Sequence, residues 1–184
     1  MATRSSTLVP TGTWSVDPAH SSVEFAVKHM GIATVRGKFT DFEGTLEVGA
    51  DLAASKARGS VKVASITTNE QQRDDHLRSP DFFDAEQYPD ITFESTRIEP
   101  IDEDSSRVFG NLTMHGITNE VKLEVVFQGA DTDPWGNERV GLEVVGVLKR
   151  SDFDMKFNQA LGSGNKLVGD KVNVSLDISA VKQA

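Results

Sequence analysis

The chain has 184 residues, with 19 lysines and arginines against 28 aspartates and glutamates, for a net charge of −9. This length suits one domain with an ordinary hydrophobic core. The absence of cysteine excludes disulfides, thiolate metal sites and cysteine nucleophiles. The acidic balance disfavours phosphate backbones and anionic lipid heads as partners, so we expect no nucleic-acid partner.

The N-terminal segment, residues 1–11, is polar, and we expect it to be flexible and followed by a single domain over residues 12–182. It lacks the apolar core of a signal peptide, and no run in the chain approaches the ~20 apolar residues of a membrane span. We therefore expect a cytoplasmic protein without stable membrane insertion. The oligomeric state stays open, with a homodimer as one option.

Most of the chain alternates apolar and polar residues with the period of a half-buried β-strand. Near the N-terminus, Val23, Phe25 and Val27 alternate with polar residues, and residues 172–178 repeat the pattern near the C-terminus. About eight or nine such strands follow one another through turns too short for parallel crossovers. They must fold one apolar face inward as a sandwich or a barrel, and we predict a barrel because closure removes exposed edges.

The longest departure from this pattern lies between Val61 and Ser95. Asn69 is a candidate helix N-cap, residues 70–78 suit a short helix, and Ser79-Pro80 ends it because a residue before proline disfavours helical geometry. Three aromatic residues follow, namely Phe82, Phe83 and Tyr88. We predict a short helical excursion at about 69–88 that acts as a plug or lid on the β structure.

This excursion carries the densest polar cluster of the chain. Arg73, His76 and Arg78 could meet an anionic head group at the mouth of a cavity. The competing interpretation is a solvated helix face with a weak pair between Asp74 and Arg78. A third interpretation is an enzyme acting on a hydrophobic small molecule, with His76 or a carboxylate as general base.

Signals for a metal, a cofactor or a catalytic constellation are weak. The four histidines are scattered and none forms a metal-ligand pair by spacing. The run Gly162-Ser163-Gly164-Asn165-Lys166 lacks the spacing of a phosphate loop and reads as part of a flap. We assign no cofactor, no metal ligand and no catalytic residue.

Large apolar side chains recur on or beside the strands. They fit either a packed core or the lining of an apolar cavity, because periodicity does not distinguish a filled barrel from a hollow one. The candidate lining residues are Phe25, Val27, Phe39, Phe93, Phe109, Phe127 and Phe153.

Several motifs together resemble one family. They are Trp14-x-Val16-Asp17-x-x-His20-Ser21, Val35-Arg36-Gly37-Lys38-Phe39, residues 73–83 (RDDHLRSPDFF), Tyr88-Pro89 with Thr92-Phe93, Gly110-Asn111-Leu112-Thr113 with Gly116-Ile117-Thr118, and Asp133-Pro134-Trp135-Gly136. With them the chain resembles the YceI-like, or polyisoprenoid-binding, family from about Trp14 to Val181.

The resemblance implies an all-β, eight-stranded antiparallel lipocalin-like barrel. It also implies an interior that holds a long isoprenoid, such as a polyprenyl diphosphate or a quinone, and it brings no enzymatic activity. We therefore expect binding of such a lipid for transport or storage. The alternatives are the enzyme described above and a filled barrel that serves as an interaction module.

Overall fold

The computed structural model describes residues 9–184, so residues 1–8 of the segment expected to be flexible lie outside the described part. Of the other three residues of that segment, Val9 packs against an apolar cluster and the Pro10 carbonyl accepts a hydrogen bond from Trp14 Nε1. The described chain contains one α-helix, α1 (Gln71–Arg78), and eleven strands: β1 (Gly12–Val16), β2 (Ser22–His29), β3 (Ala33–Phe39), β4 (Phe42–Val48), β5 (Lys56–Lys62), β6 (Ile66–Thr67), β7 (Asp90–Pro100), β8 (Ser105–Met114), β9 (Ile117–Thr132), β10 (Glu138–Lys149) and β11 (Val168–Lys182).

The strands form one closed antiparallel barrel. Strands β1, β4, β5, β7, β8, β9, β10 and β11 are hydrogen-bonded in that order, and β11 pairs back to β1. The eight members of this ring confirm the predicted eight-stranded barrel. The closing pair joins Trp14 to Lys182 and Val16 to Ala180, which lie at opposite ends of the sequence.

Three walls of the barrel are long strands with a break. The β1–β2 wall breaks at the 3-10 turn Pro18–His20, the β3–β4 wall at residues 40–41, and the β5–β6 wall at the turn Val63–Ser65. The outer halves β2, β3 and β6 extend the sheet beyond the ring, since β2 pairs with both β11 and β3, and β3 pairs with β6. The barrel therefore has one end built from these extensions.

That end also holds the tightest hairpins. Met30-Gly31 and His115-Gly116 have positive φ angles of 57°, 74°, 55° and 75°, as the two central residues of a type I′ turn do. This turn matches the right-handed twist of the flanking strands. We call this the mouth end; it carries the tips of β2–β3 and β8–β9.

Helix α1 lies between β6 and β7, within the excursion predicted at about 69–88. Its N-cap is Glu70, whose carboxylate accepts from the backbone N–H groups of Gln72 and Arg73, and the predicted cap Asn69 is wrong. Asn69 instead adopts a left-handed φ of 64°, which turns the chain into the helix. None of the helices in residues 9–184 has the length and apolar character needed to span a bilayer.

Candidate functional site

The strand register decides which side chains face the inside of the barrel. Phe25 pairs with Val174 of β11, and Val174 pairs with Gly146 of β10. The neighbours of Gly146 along β10, Val145 and Val147, are exposed by 38 % and 58 % and lie on the outer face. The row that contains Phe25 therefore faces inward.

Most of the residues expected to line a cavity share this inner face. They are Phe25, Val27, Phe39, Phe93 and Phe127, and of these only Phe39 is fully buried. An inward side chain of a closed barrel that is still partly exposed borders space that other side chains do not fill. The inner wall is therefore apolar and incompletely packed.

Inward-facing glycines let the large inner side chains lie flat against the wall. A Cβ on Gly37 would stand 2.8 Å from Phe25 Cε1, one on Gly110 would stand 2.5 Å from Phe93 Cε2, and one on Gly146 would stand 2.6 Å from Leu123 Cδ2. Real Cβ atoms do not come this close, so each of these side chains occupies the place of a missing one. Two aromatic rings and one leucine therefore lie over the glycines of the wall instead of extending toward the centre of the barrel.

Phe109 lies on the outer face, contrary to the expectation that it lines the interior. Its neighbours Val108 and Gly110 belong to the inward row, and the guanidinium of Arg97 sits 4.1 Å from the centre of its ring. The size and apolar character of Phe109 favoured an interior position for it. Phe93 already fills the space over Gly110, so Gly110 faces inward and Phe109 faces outward.

The end of the barrel opposite the mouth is closed by an apolar cluster. Its centre is Trp14, which is 1 % exposed, together with Val140, Leu142, Val144, Ile178 and Ala180, and Phe127 packs against its edge. Trp14 donates its indole N–H to the Pro10 carbonyl at 2.9 Å, so burial leaves no polar atom of the ring unsatisfied. This end is filled.

At the mouth end a second cluster lies beneath the loops. Phe153, 1 % exposed, packs with Met114 and Met155, and Phe83 of the excursion contacts the same cluster. The predicted lining residue Phe153 is thus part of a closing wall. Ring contacts continue from Phe83 to Phe39 at 5.9 Å and from Phe39 to Phe25 at 5.7 Å, so an aromatic row connects the mouth to the inner face.

The arginines expected at an anionic head group fasten the excursion to the barrel. Arg73 donates to the hydroxyl and carbonyl oxygens of Thr68 at 2.7 and 2.9 Å. Arg78 donates to the carbonyls of Ala64 and Ile66 at 3.1 and 2.9 Å. Both guanidinium groups therefore hold the 64–68 backbone in place, which is a positioning role.

His76, the candidate general base, is built into the packing of the excursion. Its Nε2 lies 2.8 Å from Asp81 Oδ2, and its ring makes edge-to-face contacts with Phe82 and Phe157 at 5.0 and 4.8 Å. The ring joins the excursion to the chain beyond β10. This geometry favours a packing role for His76 over that of a base.

Sequence reasoning missed a cleft of about 540 Å³ at the mouth, between the β2–β3 tip and the flap, residues 154–167. Lys28, Lys156 and Lys166 contribute to its wall. Met155 belongs both to this wall and to the cluster around Phe153, so the cleft borders the apolar cluster at the mouth end.

Arg150 organises the flap. It is 7 % exposed and donates to four backbone carbonyls, those of Met155 at 2.9 Å, Gly169 at 2.8 Å, Phe157 at 3.2 Å and Val168 at 3.3 Å. Burial lowers the pKa of its guanidinium below the ordinary value. No pattern in the sequence distinguishes this arginine, because its acceptors are backbone carbonyls from two separate stretches of chain.

The closed end carries a network centred on Arg139. Its guanidinium donates to Asp133 Oδ2 at 2.8 Å and to Asp17 Oδ2 at 2.9 Å, and His20 Nδ1 lies 2.7 Å from the same Asp17 oxygen. The contact with Arg139 lowers the pKa of each aspartate to about 2, and His20 adds to the effect at Asp17. The network joins the β9–β10 turn to the corner between β1 and β2.

Within residues 9–184, no group of three or more histidine, aspartate or glutamate side chains is placed to hold a metal ion. The features described above that could meet a ligand are the apolar inner wall and the lysine-lined cleft at the mouth. A sequence profile described as the YceI-like domain matches residues 14–180.

The chain belongs to the YceI-like family.

Curated relatives of this YceI-like chain cover most of its length. A UPF0312 protein of Pseudomonas putida is 34 % identical over 165 residues, which span 89 % of this chain and 82 % of the relative. A UPF0312 protein of Staphylococcus aureus is 36 % identical over 161 residues, spanning 86 % and 91 % respectively.

Solved structures show the same YceI-like barrel. BcnA of Burkholderia cenocepacia matches with a TM-score of 0.78 at 25 % identity, over 89 % of this chain and 98 % of that one. A Campylobacter jejuni YCEI protein matches with a TM-score of 0.72 at 30 % identity, over 85 % and 90 %. A polyisoprenoid binding domain from Saccharophagus degradans matches with a TM-score of 0.72 over 92 % and 98 %, and at 15 % identity it shows the shared fold alone.

Proposed function

We propose that the barrel binds a long-chain isoprenoid lipid, such as a polyprenyl diphosphate or a quinone, for transport or storage. The observation that carries the proposal is the inner wall, where Phe25 and Phe93 lie flat over inward-facing glycines and stay partly exposed. A wall built this way keeps apolar area available to a ligand. The name of the Saccharophagus degradans neighbour, a polyisoprenoid binding domain, supports the same ligand class.

The energetics favour a carrier that exchanges lipid with a membrane. Burying one CH₂ group from water contributes ~0.8 kcal/mol, so a chain of ~40 carbons would gain roughly 30 kcal/mol. Non-covalent affinities saturate near ~18–21 kcal/mol, so water is the wrong reference state. Such a lipid otherwise resides in a bilayer, and its transfer from there into an apolar barrel is close to neutral.

The proposed ligand-contacting residues are Phe25, Val27, Phe39, Phe93 and Phe127, with Phe153 as part of the wall below the mouth. The head group would lie at the mouth end, where the excursion and the flap meet. Arg73, His76 and Arg78 contribute by holding the excursion in place.

Organic extraction of the purified protein tests the proposal. We expect mass spectrometry to find about one prenyl lipid per chain in protein made in cells that contain such lipids. Clean extracts would contradict the proposal.

A matched pair of variants tests the location. Val27→Trp adds an indole on the inner face, whereas Val147→Trp adds the same group on the outer face, where Val147 is 58 % exposed. We expect Val27→Trp to remove the co-purified lipid and Val147→Trp to retain it. Equal lipid content in the two variants would place the lipid elsewhere.

Two expectations from the sequence stay predictions within this proposal. Cell fractionation tests the cytoplasmic location. Sedimentation equilibrium tests the homodimer.

A further inference from the structure

The mouth end gathers lysines on one side, although the whole chain is acidic. Lys28, Lys156 and Lys166 line the cleft under the flap. Lys149 and Lys171 are directly opposite each other on β10 and β11, where these strands reach the same end. We call these five lysines the basic rim.

The lysine pair is unfavourable by itself. Like charges directly opposite on neighbouring strands destabilise a sheet. Among residues 9–184, neither Lys149 nor Lys171 forms an ion pair with a carboxylate, although Asp170 lies near enough for Lys149 to contribute to lowering its pKa. Because the repulsion between Lys149 and Lys171 lowers the stability of the fold, we infer that their charge serves a purpose other than stability.

The carboxylates beside the rim are fewer than its lysines, and two of them already have partners. Asp154 pairs with Lys156 at 3.0 Å, and Asp170 accepts from the backbone N–H and the hydroxyl of Ser151. Asp152 is exposed nearby. The buried Arg150 adds a further positive charge behind the rim, so this side of the mouth is net positive.

An apolar side chain projects beside the rim. Ile32, at the tip of the β2–β3 hairpin, is 78 % exposed. The tip is held in shape by the type I′ turn and by Asn165 of the flap, whose side-chain amide donates to the Met30 carbonyl at 3.3 Å. The hairpin therefore presents an isoleucine next to Lys28 on a braced support.

We propose that the flap side of the mouth docks onto the surface of a bilayer containing anionic lipids, with the basic rim over the head groups and Ile32 at the interface. Each lysine near an anionic surface strengthens binding, and an apolar side chain that enters the head-group region adds to it. The contact is confined to the flap side because the excursion across the mouth, residues 70–86, carries more aspartates and glutamates than arginines.

A membrane fits this surface better than a protein partner does. Protein interfaces are depleted in lysine and bury about 800 Å² per partner around an apolar centre. Here one isoleucine stands among lysines. Repulsion between the bilayer and exposed carboxylates of the chain is screened beyond about 10 Å at moderate ionic strength.

Vesicle sedimentation tests the docking. The full chain is mixed with vesicles of phosphatidylcholine alone, or of phosphatidylcholine with phosphatidylglycerol, at low and at high NaCl. We expect sedimentation only with the anionic vesicles, weakening as salt rises. Equal binding to both vesicle types, or no binding to either, would overturn the proposal.

Two double variants with the same change of net charge locate the contact. Lys149→Gln/Lys171→Gln removes the opposed pair, and Lys56→Gln/Lys122→Gln removes two exposed lysines outside the rim. We expect the first to lower the vesicle partition coefficient about thirtyfold and the second to change it less than about threefold. The first variant should not lower the melting temperature, because it relieves like-charge repulsion.

Equal losses of vesicle binding in the two double variants would show that binding depends on net charge alone, and would overturn the proposal. Rim-dependent binding to a single-stranded oligonucleotide without binding to vesicles would overturn it as well. Ile32→Ser should weaken vesicle binding with little change of its salt dependence. Docking goes beyond the proposed lipid binding, and the two are distinguishable because vesicle sedimentation does not measure occupancy of the barrel.

Discussion

The ring of Phe25 occupies the space above Gly37 on the neighbouring strand, so that a Cβ at residue 37 would lie 2.8 Å from Phe25 Cε1. The two residues are register partners, and both belong to the inner face of the barrel. The missing side chain at residue 37 therefore sets how far the aromatic ring extends toward the centre.

The first prediction concerns this pair. Gly37→Ala forces the ring of Phe25, and also Thr68 Cγ2, to move, and we expect a loss of about 1–3 kcal/mol in the free energy of unfolding. In the background of Phe25→Leu the same change should cost clearly less, because the smaller side chain leaves room. Urea denaturation of the four proteins of this cycle measures the coupling. Strictly additive costs would contradict the contact.

Gly162→Ala is the control for this cycle. A Cβ on Gly162 meets nothing within 4 Å, and the residue lies in the exposed tip of the flap. We expect a change within about 0.5 kcal/mol.

The second prediction concerns the buried carboxylate of the excursion. Asp74 is 7 % exposed and accepts from the backbone N–H and the hydroxyl of Thr68 at 2.8 and 2.5 Å. Asp74→Ala leaves the buried N–H without its acceptor, so we expect a loss of about 1–3 kcal/mol in urea denaturation. The neighbouring Asp75→Ala removes only an exposed pair with Arg78 and should cost less than about 1 kcal/mol. Equal costs would show that Thr68 is not held by Asp74.

The third prediction concerns the flap. Arg150→Lys keeps the charge but does not reproduce the planar fork that reaches four carbonyls. We expect faster amide hydrogen exchange across residues 154–168, with exchange in β8 and β9 unchanged. Lys149→Arg is the control, since that side chain is exposed and its fork has no such set of acceptors. Unchanged exchange in the flap would show that Arg150 does not hold it.

The fourth prediction concerns acid stability. Asp17 and Asp133 have pKa values of about 2 in the folded protein, below the ordinary 3.8, chiefly because each accepts a hydrogen bond from Arg139. Their contribution to stability is complete above about pH 4. It is lost as the pH falls toward 2, because the unfolded chain then takes up protons that the folded protein does not.

Arg139→Gln removes the largest cause of both lowered pKa values. We expect the slope of stability against pH between about 4 and 2 to decrease by up to about two protons, together with a lower melting temperature at neutral pH. Arg58→Gln is the control, because Arg58 is 68 % exposed and lies 4.0 Å from Glu47. Thermal denaturation across this pH range measures both. A slope in Arg139→Gln equal to that of the unchanged protein would contradict the network.

Most of the fold could be predicted from local patterns. Alternation gave the strands, short turns gave antiparallel pairing, and Ser79-Pro80 correctly ended the helix at Arg78. Asn69 was mistaken for the N-cap because asparagine and glutamate side chains can both accept hydrogen bonds from the free backbone N–H groups of a helix start. Only the backbone conformation shows which of the two residues immediately precedes the helix. The number of strands in the barrel, eight, is set by which strands join the closed ring.

The candidate site was predicted less well. Period 2 places residues on two faces without saying which face is inside, and glycine breaks the hydrophobic signal of the inner row in β8. Phe109 was therefore assigned to the interior, whereas Gly110 faces it. Arg73 and Arg78 were named as candidate head-group contacts because their carbonyl acceptors lie 5–14 residues away and carry no side-chain signal.

Local patterns along the chain were enough to predict antiparallel strands with one helical excursion, because strand alternation, turn residues and helix-ending residues act over a few positions. Three features come from tertiary contacts instead: which face is inward, which arginines hold the excursion in place, and the meeting of lysines of an acidic chain at one side of the mouth. These depend on register and closure, which bring Lys149 opposite Lys171 and Phe25 over Gly37 without any signal in the spacing along the chain.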